Sequence, residues 1–200
     1  MDEPNFIRAA QQGDVAAFNQ LVRAYRVMVY RTAYRVLGDA ASAEDATQEA
    51  FVSAYKHLRA FRGGSFKAWL LRIVTNACYD QLRAKQRHPS ASLDALLVDP
   101  EHPAPGLDRV ASEAPQEFAE RQELGATIQR GLTTLPNDQR LTLVLVDIEG
   151  LSYEEAAQAL ATNVGTIKSR LSRARAALRD FLLRQEELLP TRYRLKSGMV

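Results

Sequence analysis

The 200-residue chain has one cysteine, Cys78, and only three histidines. A single cysteine excludes an internal disulfide, which favours a reducing compartment. His57, His88 and His102 lie far apart and have no cysteine partners at zinc-site spacing. We therefore expect no metal and no cofactor.

The sequence also lacks any apolar run close to the ~20 residues that a membrane-spanning helix needs. Its first four residues show neither the basic start nor the apolar stretch of a signal peptide. These two absences predict a cytoplasmic protein without a membrane segment of its own. Strand signals are missing as well, and apolar residues recur at helical spacing, so we expect an all-α fold.

The formal net charge is only +2, but the charges are unevenly distributed. Residues 1–88 carry 13 basic and 8 acidic side chains, residues 89–118 carry 1 and 6, and residues 119–200 carry 12 and 10. The acidic middle segment is rich in proline, which is typical of a flexible linker. We predict two small helical domains at 1–88 and 118–184, a linker at 89–117, and a tail of unassigned role at 185–200.

Glycine and small polar residues mark the expected ends of helices in the first block. Gly38 has the position of a C-cap. Ser42 precedes two acids and predicts the start of a helix that runs to about Leu58. Ser65 is the expected N-cap of the next helix, which runs to about Lys85.

The second block contains a predicted helix-turn-helix from Ser152 to Arg179. Ser152 and Glu155 form the pattern of a capping box, and residues 161–163 have the length of the turn in this motif. The second helix is expected to begin at Val164. One of its faces repeats apolar residues at helical spacing and should be buried: Val164, Ile167, Leu171, Ala174 and Leu178.

The opposite faces of that helix are basic and contain no acid before Asp180. In a docked helix-turn-helix, the N-terminal half of the second helix reaches base edges in the major groove. The candidates for base reading are Thr166, Lys168, Ser169, Ser172 and Arg173. Arg170 belongs to the same basic surface, and Arg175 and Arg179 are better placed for phosphates. The alternative interpretation is a solvated basic helix on an ordinary bundle.

Residues 61–73 of the first block mix aromatic side chains with positive charge. Bases pulled out of a duplex are commonly stacked on aromatics beside cations that bind the backbone. Aromatic residues at helical spacing are also common in cores, so Phe66 and Trp69 are candidates for either role.

Both blocks contain longer motifs in a fixed order. Residues 45–51 read DATQEAF, and FRG follows at 61–63; the second block has GLSYEEAA at 150–157 and GTIKSRLSRAR at 165–175. With these motifs the chain resembles the bacterial RNA polymerase sigma factors of the sigma-70 family, extracytoplasmic-function group. The resemblance covers nearly everything except the linker and the tail.

The resemblance implies a promoter-specificity subunit that is not an enzyme. The first domain would bind core RNA polymerase and the −10 promoter element, and the second would bind the −35 element. Implied partners are the clamp coiled coil and the flap of the polymerase, promoter DNA and an anti-sigma factor. The implied polymerase-binding residues are Asp45, Gln48, Glu49 and Phe51. The implied −10 contacts are Arg62, Ser65, Phe66, Lys67, Trp69, Arg72, Asn76 and Arg83.

Three alternatives remain open on the sequence alone. The helix that carries the polymerase-binding residues could be a surface helix stabilised by its own caps. The chain could be a stand-alone regulator that dimerises on a palindrome, although no apolar heptad seam is visible. It could also be an enzyme that uses Glu44, Asp45 and Glu49, although no histidine or phosphate-binding loop accompanies these carboxylates.

Overall fold

A computed structural model of the chain describes residues 2–87 and 115–185. All regular structure in these two ranges is helical, which confirms the predicted all-α class. Most of the predicted linker and all but the first residue of the predicted tail lie outside the described residues.

The first block contains four α-helices: α1 (Glu3–Gln11), α2 (Val15–Leu37), α3 (Ala40–His57) and α4 (Phe66–Arg87). A single turn of 3₁₀-helix, Leu58–Ala60, follows α3. The helices α2, α3 and α4 pack on one another, and α1 lies against α2.

The caps explain where these helices begin and end. Gly38 closes α2 in the left-handed conformation, at φ 85°, as the sequence predicts. The predicted start of α3 at Ser42 is wrong by two residues. Asp39 is the N-cap and accepts a 2.7 Å hydrogen bond from the amide of Ser42, which lies inside the first turn. Ser65 accepts from the amide of Ala68 at 3.1 Å, which confirms it as the cap of α4.

The second block also contains four α-helices: α5 (Pro115–Thr134), α6 (Asn137–Leu143), α7 (Tyr153–Ala159) and α8 (Val164–Arg184). The sequence predicts one regular helix up to Ile148, but α6 continues as a π-helical turn over Val144–Ile148. The amide of Glu149 donates to the carbonyl of Val144, five residues earlier, at 2.9 Å. The hydrogen-bonding pattern of the π-helix therefore extends to Glu149. Helix α8 runs five residues beyond the predicted end at Arg179.

The buried residues of the two blocks form one continuous hydrophobic core. Helix α2 packs against α5 and α6, and α4 packs against α7. The sequence predicted the two helical units but gave no sign that they touch. Their contact places the amino-terminal turn of α4 beside the loop that follows the π-helical turn.

Helices α5 and α8 are in contact at Gly131. A Cβ atom added there would lie 2.6 Å from Cδ1 of Leu178 and 2.9 Å from Cδ1 of Phe181. The missing side chain therefore leaves room for the side chains of Leu178 and Phe181 between the two helices.

We expect Gly131→Leu to destabilise the protein by about 1–3 kcal/mol, since overpacking outweighs the gain in helix propensity of about 0.8–1 kcal/mol. Urea unfolding measures this difference. Ala177→Leu, on an exposed position of α8, is the matched control and should change stability little. A more stable Gly131→Leu variant would show that the helices are not in close contact.

Candidate DNA and polymerase interfaces

Helices α7 and α8 form the helix-turn-helix that the sequence predicts. Ser152 accepts a 3.1 Å hydrogen bond from the amide of Glu155, and the Glu155 carboxylate accepts a 2.9 Å bond from the amide of Ser152. This reciprocal pair is the predicted capping box. In the turn, Ala161 adopts φ 47°, and the Asn163 side chain caps α8 by accepting from the amide of Thr166 at 2.8 Å.

The burial pattern of α8 separates a core face from a basic outer face. Ile167, Leu171 and Ala174 are buried, and Val164 and Leu178 are partly buried, so the predicted stripe is confirmed. The candidates for base reading occupy the other side. Four of them are exposed and Thr166 is half-buried; the exposed ones are Lys168, Ser169, Ser172 and Arg173.

Three of the basic side chains on α8 are paired with acids. Arg175 forms a two-pronged ion pair with Asp147, with contacts of 2.8 and 2.6 Å. These hydrogen bonds raise the pKa of Arg175 and keep it charged. Arg170 pairs with Asp138, and Arg179 pairs with its neighbour Asp180. Asp138 and Asp147 come from α6 and the π-helical turn, so the sequence of α8 gave no sign of them.

The proposed −10 contacts divide into an exposed set and an enclosed set. The exposed side chains follow the loop before α4 and one side of that helix: Arg62, Ser65, Arg72, Asn76 and Arg83. The guanidinium of Arg83 lies over the ring of Tyr79, 5.5 Å from its centroid.

Phe66 and Trp69 occupy different environments. Phe66 is only 2% exposed, and its ring packs edge-on against Tyr25 and Phe61. Of the two roles that the sequence left open, Phe66 takes the core position, where a flipped base cannot stack on it in this conformation. Trp69 packs beside both phenylalanines and remains partly exposed.

Lys67 is the proposed −10 contact that already has a partner from the second block. Its ammonium donates to the backbone carbonyl of Glu149 and lies 3.8 Å from the Glu149 carboxylate. Lys67 points toward the other half of the protein, which the sequence could not indicate.

Helix α3 presents the proposed polymerase-binding residues on one face. Asp45, Gln48 and Glu49 are exposed, and Phe51 is half-buried at the edge of the core. Val52 and Tyr55 continue the exposed face with apolar surface and are 49% and 45% exposed. The sequence-based list missed both, although Val52 lies three and four residues after Glu49 and Gln48 and Tyr55 lies three after Val52, which places them on the same side.

Two charged residues missed by sequence reasoning lie between the blocks. Arg140 is 7% exposed and Glu149 is 9% exposed. Arg140 directly precedes the largely apolar stretch 141–146, and this position is the available sequence signal of a buried charge. The sequence predicts a break at Glu149 and Gly150, after a helix that ends at Ile148, and does not indicate a buried acid there.

Two further features of the described residues concern metal binding and membrane insertion. Within residues 2–87 and 115–185, no three His, Cys, Asp or Glu side chains are grouped so as to hold a metal ion. None of the helices in these ranges has both the length and the apolar composition needed to cross a membrane.

Each of the two blocks matches a known protein family. The family described as Sigma-70 region 2 matches residues 21–88, and Sigma-70, region 4 matches residues 126–178. The chain belongs to the extracytoplasmic-function group of the sigma-70 family. Members of this family act in promoter-specific transcription initiation by RNA polymerase, and that is the function of this chain.

Curated relatives share the whole two-block arrangement. The ECF RNA polymerase sigma factor SigE of Mycolicibacterium smegmatis is 38% identical over 187 residues, which span 90% of this chain and 69% of that protein. SigW of Bacillus subtilis is 37% identical over 178 residues, 88% of this chain and 94% of that protein. The sigma-E factor of Escherichia coli is 36% identical, with coverage of 86% and 90%.

Solved structures show the same fold. The sigma factor RpoE of Bartonella quintana, in complex with the anti-sigma factor NepR, superposes with a TM-score of 0.63 at 29% identity. The match covers 84% of this chain and 98% of that one. CnrH, in complex with the cytosolic domain of CnrY, gives 0.60 at 27% identity, with coverage of 88% and 94%.

Cys78 lies in the core of the first block, away from these surfaces. Burial raises the pKa of its thiol to about 12. Because the thiolate is the reactive form, a buried thiol with this pKa is a poor nucleophile and a poor redox sensor.

We expect Cys78 to resist Ellman's reagent at pH 8 until the protein unfolds, since a pKa of about 12 leaves about one thiol in 10,000 ionised. A cysteine introduced at the exposed position of Lys56 should react in the same folded protein as fast as a free thiol in solution. Rapid modification of Cys78 in the native state would contradict its burial.

Proposed function

We propose that the chain binds core RNA polymerase through its first block and recognises promoters at two separate points. In this proposal, residues 1–88 bind the polymerase and the −10 element, residues 118–184 bind the −35 duplex, and residues 89–117 connect them. The observation that carries it is the pair of exposed polar surfaces on α4 and α8 in a chain of this family.

The −35 contact is assigned to the outer face of α8. Lys168, Ser169, Ser172 and Arg173 lie in the N-terminal half of the helix and are exposed, as direct reading of base edges requires. Arg175 and Arg179 lie about one to two turns further along, where they suit phosphates. The ion pair with Asp147 holds the Arg175 guanidinium in a defined position before DNA arrives.

The −10 contact is assigned to the loop before α4 and to the exposed side of α4. Ser65, at the rim of the aromatic cluster, and the partly exposed Trp69 are available to an unstacked base. Arg62, Arg72 and Arg83 supply positive charge for the backbone of the displaced strand. Capture of one base offsets an unpairing cost of a few kcal/mol.

The exposed face of α3 is assigned to the polymerase clamp. Acids are poor DNA ligands, so Asp45 and Glu49 suit a basic protein surface, and Val52 and Tyr55 supply the apolar area that a stable contact buries. When both blocks are attached to one polymerase, each DNA-binding surface is held at a higher effective concentration near its own promoter element. Neither block then needs strong DNA binding of its own.

An anti-sigma factor is proposed as a further partner. The structural relative RpoE was solved with the anti-sigma factor NepR, and its match covers most of this chain. A protein that covers both α3 and α4 would block the polymerase and −10 surfaces together.

A reconstituted transcription reaction tests the proposal against a stand-alone regulator. Core polymerase with the full chain should start transcripts at promoters selected from a random DNA library, whereas core polymerase alone should not. Tight binding to a palindromic site without polymerase, together with no stimulation of initiation, would support the regulator instead.

We expect Arg173→Ala and Arg179→Ala to weaken promoter binding by the polymerase complex in different ways. Arg173→Ala should cost about 1–3 kcal/mol and relax the sequence preference at one −35 position. Arg179→Ala should weaken all sequences alike and lower the salt slope by about 1. Equilibrium binding at several salt concentrations, with the selected promoter and its −35 variants, distinguishes the two. An unchanged preference in Arg173→Ala would refute the assignment of base reading to this residue.

We expect Val52→Arg to weaken binding to core polymerase by roughly tenfold or more, because a cation replaces apolar contact area at the centre of the interface. Titration of labelled polymerase measures the affinity. Val27→Arg on α2 is the matched control, since Val27 is 52% exposed but lies outside the α3 face. Equal effects of the two substitutions would show that α3 is not the docking surface.

A further inference from the structure

The loop that precedes α4 is open at its centre. Its four residues, 62–65, are all exposed. Gly63 and Gly64 both adopt the left-handed conformation, at φ 99° and 88°, and a Cβ atom added at either would meet no atom within 4 Å. Two neighbouring glycines in open space leave the backbone many accessible conformations. The conformation of this loop is therefore set by the groups that hold its two ends.

Gln11, the last residue of α1, holds the end at which the chain enters the loop. Its side-chain amide donates to the carbonyl of Leu58 at 3.0 Å and to the carbonyl of Phe61 at 2.9 Å. An amide nitrogen carries two hydrogens, so this one group can bind both carbonyls at once. The two carbonyls belong to the first residue of the 3₁₀ turn and to the residue before Arg62. Gln11 thus fixes the point from which the loop departs.

The 3₁₀ turn has a hydrogen bond of its own, which does not involve Gln11. The amide of Phe61 donates to the carbonyl of Leu58 at 3.0 Å. The carbonyl of Phe61 lies outside every helix of the first block, so no helical hydrogen bond binds it. Loss of the Gln11 donors should therefore leave the turn formed and free the backbone where the loop begins.

The ring of Phe61 connects this anchored point to the proposed base contacts. It packs against Phe66 with 5.6 Å between ring centroids and against Trp69 with 5.3 Å. Ser65, which caps α4, holds the other end of the loop. A displacement of the Phe61 backbone would therefore shift the ring that supports Trp69 and the entry to the loop that ends at Ser65.

The other end of α1 contacts the same aromatic cluster. The hydroxyl of Tyr25 donates to the Glu3 carboxylate, and the ring of Tyr25 packs edge-on against Phe66 with 5.4 Å between centroids. Helix α1 lies before residues 21–88, which Sigma-70 region 2 matches. The support of the loop thus comes from a helix outside the matched range.

We propose that Gln11 is a positioning residue for the −10 contact, which holds the loop 62–65 in the conformation that receives an unstacked base without touching DNA itself. The receiving of a base rests on the proposed function. The support of the loop depends only on the hydrogen bonds from Gln11 to Leu58 and Phe61.

Three substitutions separate these hydrogen bonds from a general effect of α1. Gln11→Glu keeps the shape of the side chain but replaces its donors with a carboxylate, which only accepts and repels the two carbonyls. Gln11→Lys carries an ammonium with three donors and should restore the contact. Gln12→Glu, at the exposed position next to Gln11, adds the same charge at the same helix end and is the matched control.

The fluorescence of Trp69 reports the state of the loop in the full chain. Trp69 is the only tryptophan and packs on Phe61, so a loosened loop should expose its ring further. In Gln11→Glu we expect emission at longer wavelength and stronger quenching by acrylamide. Gln11→Lys and Gln12→Glu should match the parent protein, and circular dichroism should report the same helix content for all four.

Three spectroscopic results would overturn the support of the loop by Gln11. The first is an unchanged Trp69 spectrum in Gln11→Glu, and the second is an equal change in Gln12→Glu. The third is a loss of helix content in Gln11→Glu, which would show that Gln11 stabilises the whole block and not the loop in particular.

DNA binding by the complex of the chain with core polymerase tests the consequence for base capture. The probe is a short single strand with the −10 sequence of the selected promoter, compared with the same bases in scrambled order. Gln11→Glu should bind the −10 strand roughly 5- to 30-fold more weakly than the parent, and Gln11→Lys should recover most of this loss. Binding of a duplex with the −35 element alone should not change, because α8 makes that contact.

The same measurement distinguishes failure of this inference from failure of the proposed function. A parent complex that prefers the −10 strand, together with a Gln11→Glu complex that keeps the full preference, would refute the positioning role and leave the proposed function standing. A parent complex without any preference would refute the proposed −10 contact and the capture of a base with it. The Trp69 spectra would then still decide whether Gln11 supports the loop.

Discussion

The buried guanidinium of Arg140 connects more of this structure than any other polar group among the described residues. It binds the last turn of α2 through Val36 and the end of α5 through Thr133 and Leu135. Burial lowers the pKa of Arg140, yet an arginine remains charged in this environment. A buried charge is costly unless it is well hydrogen-bonded, so the helix ends around it must stay in register. The packing of the two blocks depends on that register.

The contact between the blocks changes how the DNA-binding surfaces should be understood. Seen separately, α4 and α8 are two amphipathic helices, each with an exposed polar face suited to nucleic acid. In the structure they face a common groove, and Lys67 is held by Glu149 from the other block.

Local motifs in the sequence predicted much of the secondary structure because their physics is local. The capping box at Ser152 and the left-handed glycine at position 38 involve residues within one turn of each other. The buried stripe of α8 follows from helical periodicity alone. Where a local signal misled, a neighbouring residue competed for the same role: Asp39 caps α3 in place of Ser42.

The sequence alone determined the helical class, the family, the helix-turn-helix and most of the exposed side chains suited to DNA. These follow from periodicity, capping and motifs, in which all the interacting residues lie close together in the chain. Only the tertiary structure decided that Phe66 belongs to the core and that Glu149 meets Thr32 and Lys67. Glu149 and Thr32 are 117 residues apart, and no local rule connects residues at that separation.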